Sequence, residues 1–141
     1  MSDSMFSGFS QVGADRGLEF LMSVAGRHAM PFELLAHKVA GEFAKNFEGG
    51  EWSYMFNSET STGYLKPVSD GRRTVSLDGK TVSVESDVFG VLVSIAAAEM
   101  IIHGTAKNGV PNEDDEEISN TYNRLTSLLQ RYKESGSLSF H

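Results

Sequence analysis

Two hydrophobic rhythms run along the chain, one in steps of three and four residues and one in steps of two. In "MPFELLAHKVAGEFAKNF", Phe32, Leu35, Val39, Phe43 and Phe47 recur at steps of three and four, the spacing of one helix face. His37, Lys38, Gly41, Glu42 and Lys45 fall on the opposite face. Pro31 suits a first helical turn, where its missing N–H has no partner to lose. Upstream, Asp15 to Val24, with "LEFLMSV" as its apolar part, predicts a shorter helix. Gly49 and Gly50 are expected to stop the longer one. From Glu51 the period becomes two: Trp52, Tyr54 and Phe56 point one way, Ser53 and Met55 the other. That alternation marks a strand with an aromatic face. "NSETST" is turn chemistry, "GYLKP" reads as the returning strand ended by Pro67, and "SDGRR" as a second turn. In "RTVSLDGKTVSV" two β-branched runs flank Asp78-Gly79, a pair favoured in two-residue hairpin turns.

Ser86 and Asp87 are placed to cap the next helix, expected to run to about His103 and stop at Gly104. Val88, Phe89, Val91, Leu92, Ile95, Ala96, Met100 and Ile101 leave it little polar surface, as befits a central helix packed on the sheet. Its apolar run, Val88 to Ile102, is 15 residues broken by Ser94 and Glu99. A membrane span needs roughly 17–25. A last helix follows Asn112, with Ile118, Tyr122, Leu125, Leu129 and Tyr132 as its stripe, and ends at Gly136. The expected fold class is α+β: N-terminal helix or helices, a four-stranded antiparallel meander, then two C-terminal helices. Residues 1–14, rich in Ser and Gly, read as a flexible tail, 15–135 as one domain and 136–141 as a C-terminal tail.

Composition narrows the function classes. Among 141 residues there is no cysteine, so neither a disulfide framework nor a thiolate zinc site is possible. The net charge is −7, from 12 basic and 19 acidic side chains. The basic residues are scattered, with Arg72-Arg73 the one adjacent pair, which argues against direct nucleic-acid binding. Imitation of DNA is disfavoured too. A folded surface of about 7,000 Å² gives on the order of 1,000 Å² per net charge, about tenfold sparser than duplex DNA. The opening "MSDSMFSGFSQVGADRG" has neither a basic n-region nor an apolar h-region, so a cytoplasmic protein without a membrane partner is expected.

The search for chemistry finds no constellation. His28, His37, His103 and His141 are widely separated, without H-x-x-x-H or H-E-x-x-H spacing. There is no nucleophile elbow, phosphate loop or dinucleotide loop. No catalytic, metal or cofactor site is expected, and no enzymatic activity. The acidic run Glu113, Asp114, Asp115, Glu116 and Glu117 has two readings. Acidic groups in a first turn complement the helix dipole, at about 0.3–1 kcal/mol each, with Arg131 and Lys133 at the other end. Alternatively, the run is an exposed patch that binds a partner. Trp52, Tyr54, Phe56 and Tyr64 could stack bases, but cover by apolar helices makes core their expected fate.

"F-x-G-G-x-W-x-Y" at Phe47 to Tyr54, followed by "G-Y-L-x-P" at Gly63 to Pro67, resembles the central signature of the ArdB/KlcA antirestriction family. Members carry "Y-N-G-G-x-W-x-F-Y" and "G-F-Y-M-x-P" strands at nearly this spacing. "FLMSVAG", Phe20 to Gly26, resembles the family's "F-L-P-x-x-F-G", and Ser86, Asp87 and Gly90 match its "L-S-A-D-A-x-G-I" helix. "YNRLTSLLQRYKE" corresponds in position and pattern. The resemblance covers roughly Leu18 to Glu134. It departs at "NSETST", one residue longer than the family's turn, and at "SGSLSFH", which lacks the acidic ending of many members. It implies a protein of a plasmid, phage or genomic island that relieves type I restriction of incoming unmodified DNA. It also implies action on the type I restriction-modification complex, direct or indirect, by protein contact rather than DNA mimicry, with no cofactor. A binding module that keeps the fold but serves another partner is the alternative.

Overall fold

The computed structural model describes residues 6–43, 52–68, 73–77, 79–105, 115–134 and 139–140. In chain order the elements are β1 (Ser10–Val12), α1 (Gly17–Ala25), α2 (Ala29–Phe43), β2 (Trp52–Asn57), β3 (Thr62–Pro67), β4 (Arg73–Leu77), β5 (Lys80–Val84), α3 (Ser86–Thr105), α4 (Glu116–Glu134) and β6 (Ser139–Phe140). The class is α+β, with the expected N-terminal helices, antiparallel strands β2 to β5 and two C-terminal helices.

The hairpins form as their sequences dictate. β2 pairs with β3 from Trp52 opposite Pro67 to Asn57 opposite Thr62. At the tip, Asn57 Oδ1 accepts the backbone N–H groups of Glu59 at 2.9 Å and Thr60 at 3.3 Å, the side-chain mimicry of a turn that favours Asn there. Ser61 takes a left-handed φ of 55°. In the second hairpin Leu77 pairs with Lys80 across a two-residue turn, and Gly79 supplies the φ of 77° that such a turn requires. Val75, Val82 and Val84 point into the core while Thr74, Ser76 and Thr81 face out.

The two hairpins do not join into the expected four-stranded meander. They belong to separate three-stranded sheets, ordered β1-β2-β3 and β4-β5-β6. The reason lies at the outer edge of β3, where α3 stands in the place a further strand would take. The Leu65 N–H donates to Ser94 Oγ at 3.0 Å in a fully buried bond. Gly90 lies so close that a Cβ there would sit 2.2 Å from the Leu65 carbonyl oxygen. Each sheet is completed by a segment that reads as tail. Ser10–Val12 pairs with β2 and Ser139–Phe140 with β5, so part of each terminal stretch is sheet.

α3 is apolar on nearly every side and packs against α2, α4 and β3. By length and composition it could cross a membrane, yet Val88, Phe89, Val93, Ala97 and Ala98 are all buried within the fold. It is a core helix. It continues through Gly104 to Thr105. Ser86 lies inside its first turn, and its hydroxyl accepts Arg73 Nη1 at 2.9 Å. The expected stops at Gly49-Gly50 and Gly136, and the turn at 69–72, lie outside the described residues.

α2 buries Phe32, Ala36, Val39 and Ala40, with Leu35 and Phe43 half-buried. His37, Lys38, Gly41 and Glu42 are exposed, as the periodicity predicts. α4 buries Ile118, Leu125, Leu128 and Tyr132. Thr121 joins them, its hydroxyl donating to the Val24 carbonyl at 2.7 Å and tying α4 to α1.

Candidate functional site

The acidic start of α4 divides in two. Asp115 is buried, its side chain 2% exposed. Its Oδ1 accepts Arg27 Nε at 2.9 Å and lies 2.8 Å from His28 Nε2. Both basic groups come from the 3₁₀ turn Gly26–His28 that links α1 to α2. Gly26 makes that turn possible: its φ of 57° suits glycine, and a Cβ there would meet Glu117 Oε1 at 2.8 Å. Asp115 therefore fastens the start of α4 to the α1–α2 connection, across 88 residues of sequence from Arg27. Glu116 and Glu117 are exposed in the first helical turn, and Glu113 and Asp114 lie outside the described residues. Charge pattern alone cannot separate these roles. The inward turn of Asp115 depends on a partner 88 positions away, which no local pattern marks.

The aromatic residues hold the sheet to the helices. Tyr64 is fully buried, and its hydroxyl donates to Asp87 Oδ1 at 2.6 Å, while Lys66 Nζ lies 3.6 Å from the same oxygen. Burial, then the Asp87 carboxylate, push the Tyr64 hydroxyl far above its ordinary pKa. Phe6 and Phe9 meet its ring edge-on at 5.9 and 5.0 Å. Tyr54 stacks on Phe20 at 4.9 Å and donates to Glu33 Oε2 at 2.6 Å. Burial, with the Glu33 hydrogen bond and charge, raises its pKa to about 12. Trp52, Tyr54 and Phe56 are half-buried and pack on the main core. No open stacking platform is formed by these four residues. His37, on the solvent side of α2, accepts the Trp52 indole N–H on Nδ1 at 3.2 Å.

Described residues line two surface cavities that bear on function. One, of about 340 Å³, runs between β1 and α1 over Phe20 and Phe56. Arg16 and Glu19 on its wall pair with each other at 3.1 Å. The second, of about 200 Å³, lies between α3 and α4 and is lined by Glu99, Ile102, His103, Ser119, Tyr122 and Asn123. The Tyr122 hydroxyl reaches Glu99 Oε2 at 3.4 Å. Burial, followed by the Glu99 charge and hydrogen bond, raises the Tyr122 pKa. Among the described residues, no three His, Asp or Glu side chains come together as metal ligands would.

No family model matches the sequence, and no curated protein matches it. A solved structure does match in three dimensions, at a TM-score of 0.71 and 19% identity, covering 97% of this chain and 96% of the other. It comes from work on the KlcA and ArdB proteins, described as a novel fold with antirestriction activity against type I DNA restriction systems in vivo but not in vitro. Over nearly its whole length, this chain shares the fold of the KlcA and ArdB antirestriction proteins.

Proposed function

We propose that this protein is an antirestriction protein, relieving type I restriction of incoming unmodified DNA through protein contact in the cytoplasm, without catalysis or cofactor. The observation that carries the reading is the fold shared with KlcA and ArdB over 97% of the chain. Sequence features that resemble that family also have physical roles here. Gly90 admits α3 to the edge of β3. Asp87 holds Tyr64 of the "G-Y-L-x-P" strand, and Gly26 of "FLMSVAG" makes the turn between α1 and α2. Protein contact is favoured over DNA mimicry by charge density. An accessible surface of 8128 Å² and a net charge of −7 give about 1,160 Å² per charge, against one per roughly 1.7 Å of axis in duplex DNA.

The test is efficiency of plating: unmodified phage on cells carrying type I restriction, with and without this protein. Plating is expected to rise. No rise across several type I systems would overturn the reading, and a pull-down returning a different stable partner would then favour a binding module on the same fold. The exposed Glu116 and Glu117, with Glu113 and Asp114 before them, are part of the proposed contact surface.

A further inference from the structure

We infer that the cavity between α3 and α4 receives an arginine side chain of the protein this chain binds. The inference rests on the protein-contact reading above and names the chemistry at the contact. At about 200 Å³ the cavity is below the roughly 300 Å³ at which small-molecule sites begin, and it has room for one side chain. Its polar lining accepts hydrogen bonds: the Glu99 carboxylate, the Asn123 amide oxygen and the Ser119 and Tyr122 hydroxyls. The 3.4 Å bond from Tyr122 is long, and a carboxylate has about four acceptor positions, so Glu99 keeps capacity for a second donor. No lysine or arginine is among the described residues that line the cavity. Among the described residues no ion pair to Glu99 forms, so a cation from outside would meet a carboxylate held by the Tyr122 hydroxyl alone.

The shape of the lining favours arginine over lysine. Ile102 is half-buried and offers an apolar wall for a methylene stem. His103 and Tyr122 are among the lining residues, and a planar guanidinium can stack on aromatic side chains and fork between several acceptors. An ammonium is compact and more strongly hydrated, and would use fewer of these groups. The cavity also continues the acidic start of α4, since Glu116, Ser119 and Asn123 follow at steps of three and four on one helix face. An acidic approach steers a basic partner and raises its association rate. In the larger groove beside β1 the Glu19 carboxylate is already paired with Arg16 at 3.1 Å.

An amide-resolved NMR titration with N-acetyl-arginine amide tests the cavity directly, with the neutral isostere N-acetyl-citrulline amide as control. Saturable shifts at Ser119, Tyr122 and Asn123 are expected with the arginine probe and not with citrulline. In the Glu99→Gln protein, with an unchanged melting temperature, the affinity should fall about tenfold or more, as loss of a charged hydrogen bond implies. No saturable shift, or an equal response to citrulline, overturns the inference. In cells, Glu99→Gln should lower the plating relief given by the wild-type protein, and full relief with Glu99→Arg also overturns it. Wild-type protein that gives no relief would count against the antirestriction reading alone, because the titration still decides the cavity.

Discussion

Replacing Gly90 with alanine should unfold this protein more easily, although alanine is the better helix former. In an open helix the change gains about 1 kcal/mol. At position 90, however, the new methyl would sit 2.2 Å from the Leu65 carbonyl oxygen and 3.0 Å from Lys66 Cα. Both are backbone atoms, so no side chain can swing aside. Ordinary contact begins near 3.4 Å, so α3 must retreat from β3 by about 1 Å. Overpacking of this kind costs about 1–3 kcal/mol. A retreat of that size also stretches the 3.0 Å bond from Leu65 N–H to Ser94 Oγ out of range, and a buried donor left unsatisfied costs about 1–3 kcal/mol more. The net expectation is a loss of about 3 kcal/mol, a large part of a typical 5–15 kcal/mol total.

Denaturant unfolding with a thermal melt measures it, and a melting temperature lower by about 10 °C is expected. Gly41→Ala is the internal control. Gly41 lies in α2, exposed, with nothing within 4 Å of an added Cβ, so this change should stabilise by about 0.4–1 kcal/mol. Equal effects of the two substitutions, or a Gly90→Ala protein as stable as wild type, would refute the placement of α3 along the edge of β3.

Asp115→Ala should destabilise by about 2–4 kcal/mol, since it strips Arg27 and His28 of a buried acceptor; a melting temperature unchanged from wild type would deny the clamp. Glu116→Lys combined with Glu117→Lys should lower the melting temperature by a few degrees, since each loses about 0.3–1 kcal/mol of helix-dipole stabilisation, and should lower plating relief; a variant still folded at the assay temperature with undiminished relief would remove these residues from the contact surface. Alkaline titration followed by tyrosine absorbance should show delayed ionisation. Tyr54 is raised from 10.0 to about 12, so its contribution to stability is complete below pH 10 and is lost as pH climbs through about 12. Tyr64 should ionise only as the fold opens; four normal midpoints near pH 10 would contradict the buried Tyr64–Asp87 pair.

The sequence discloses what is local. Periodicity places α2, α4 and the β4–β5 hairpin, because burial of one face leaves its mark every three to four residues or every second one. What it hides is decided by partners far along the chain. β1 and β6 carry too few residues to alternate, and they exist because β2 and β5 offer edges to them. Phe6 and Phe9 look like strays in a Ser- and Gly-rich opening, yet both pack on Tyr64. The division into two sheets was hidden for the same reason. Strand pattern shows that β3 and β4 are strands but not which edge a helix will take, and Gly90 and Ser94 acquire meaning only beside Leu65.

The same distinction decides how the acidic run must be probed. Reversing all five charges together would remove the Asp115 clamp along with the exposed carboxylates. Any loss of activity would then follow from the α1–α2 connection coming away from α4, whether or not the surface binds anything. Asp115 is 3% exposed while Glu116 and Glu117 face solvent, so the run combines a fastening and a surface. The surface half leads along α4, through Glu116, Ser119 and Asn123, to the carboxylate of Glu99 on α3. A partner reading that face would meet the Glu116 and Glu117 carboxylates first, then the uncharged Ser119 and Asn123, and the exposed Glu99 carboxylate beside the cavity. The exposed carboxylates of Glu116, Glu117 and Glu99 would set the rate of approach, and the hydrogen bonds made in the cavity would hold the side chain once it arrives. Salt should accordingly weaken association through all three exposed carboxylates, Glu99 included.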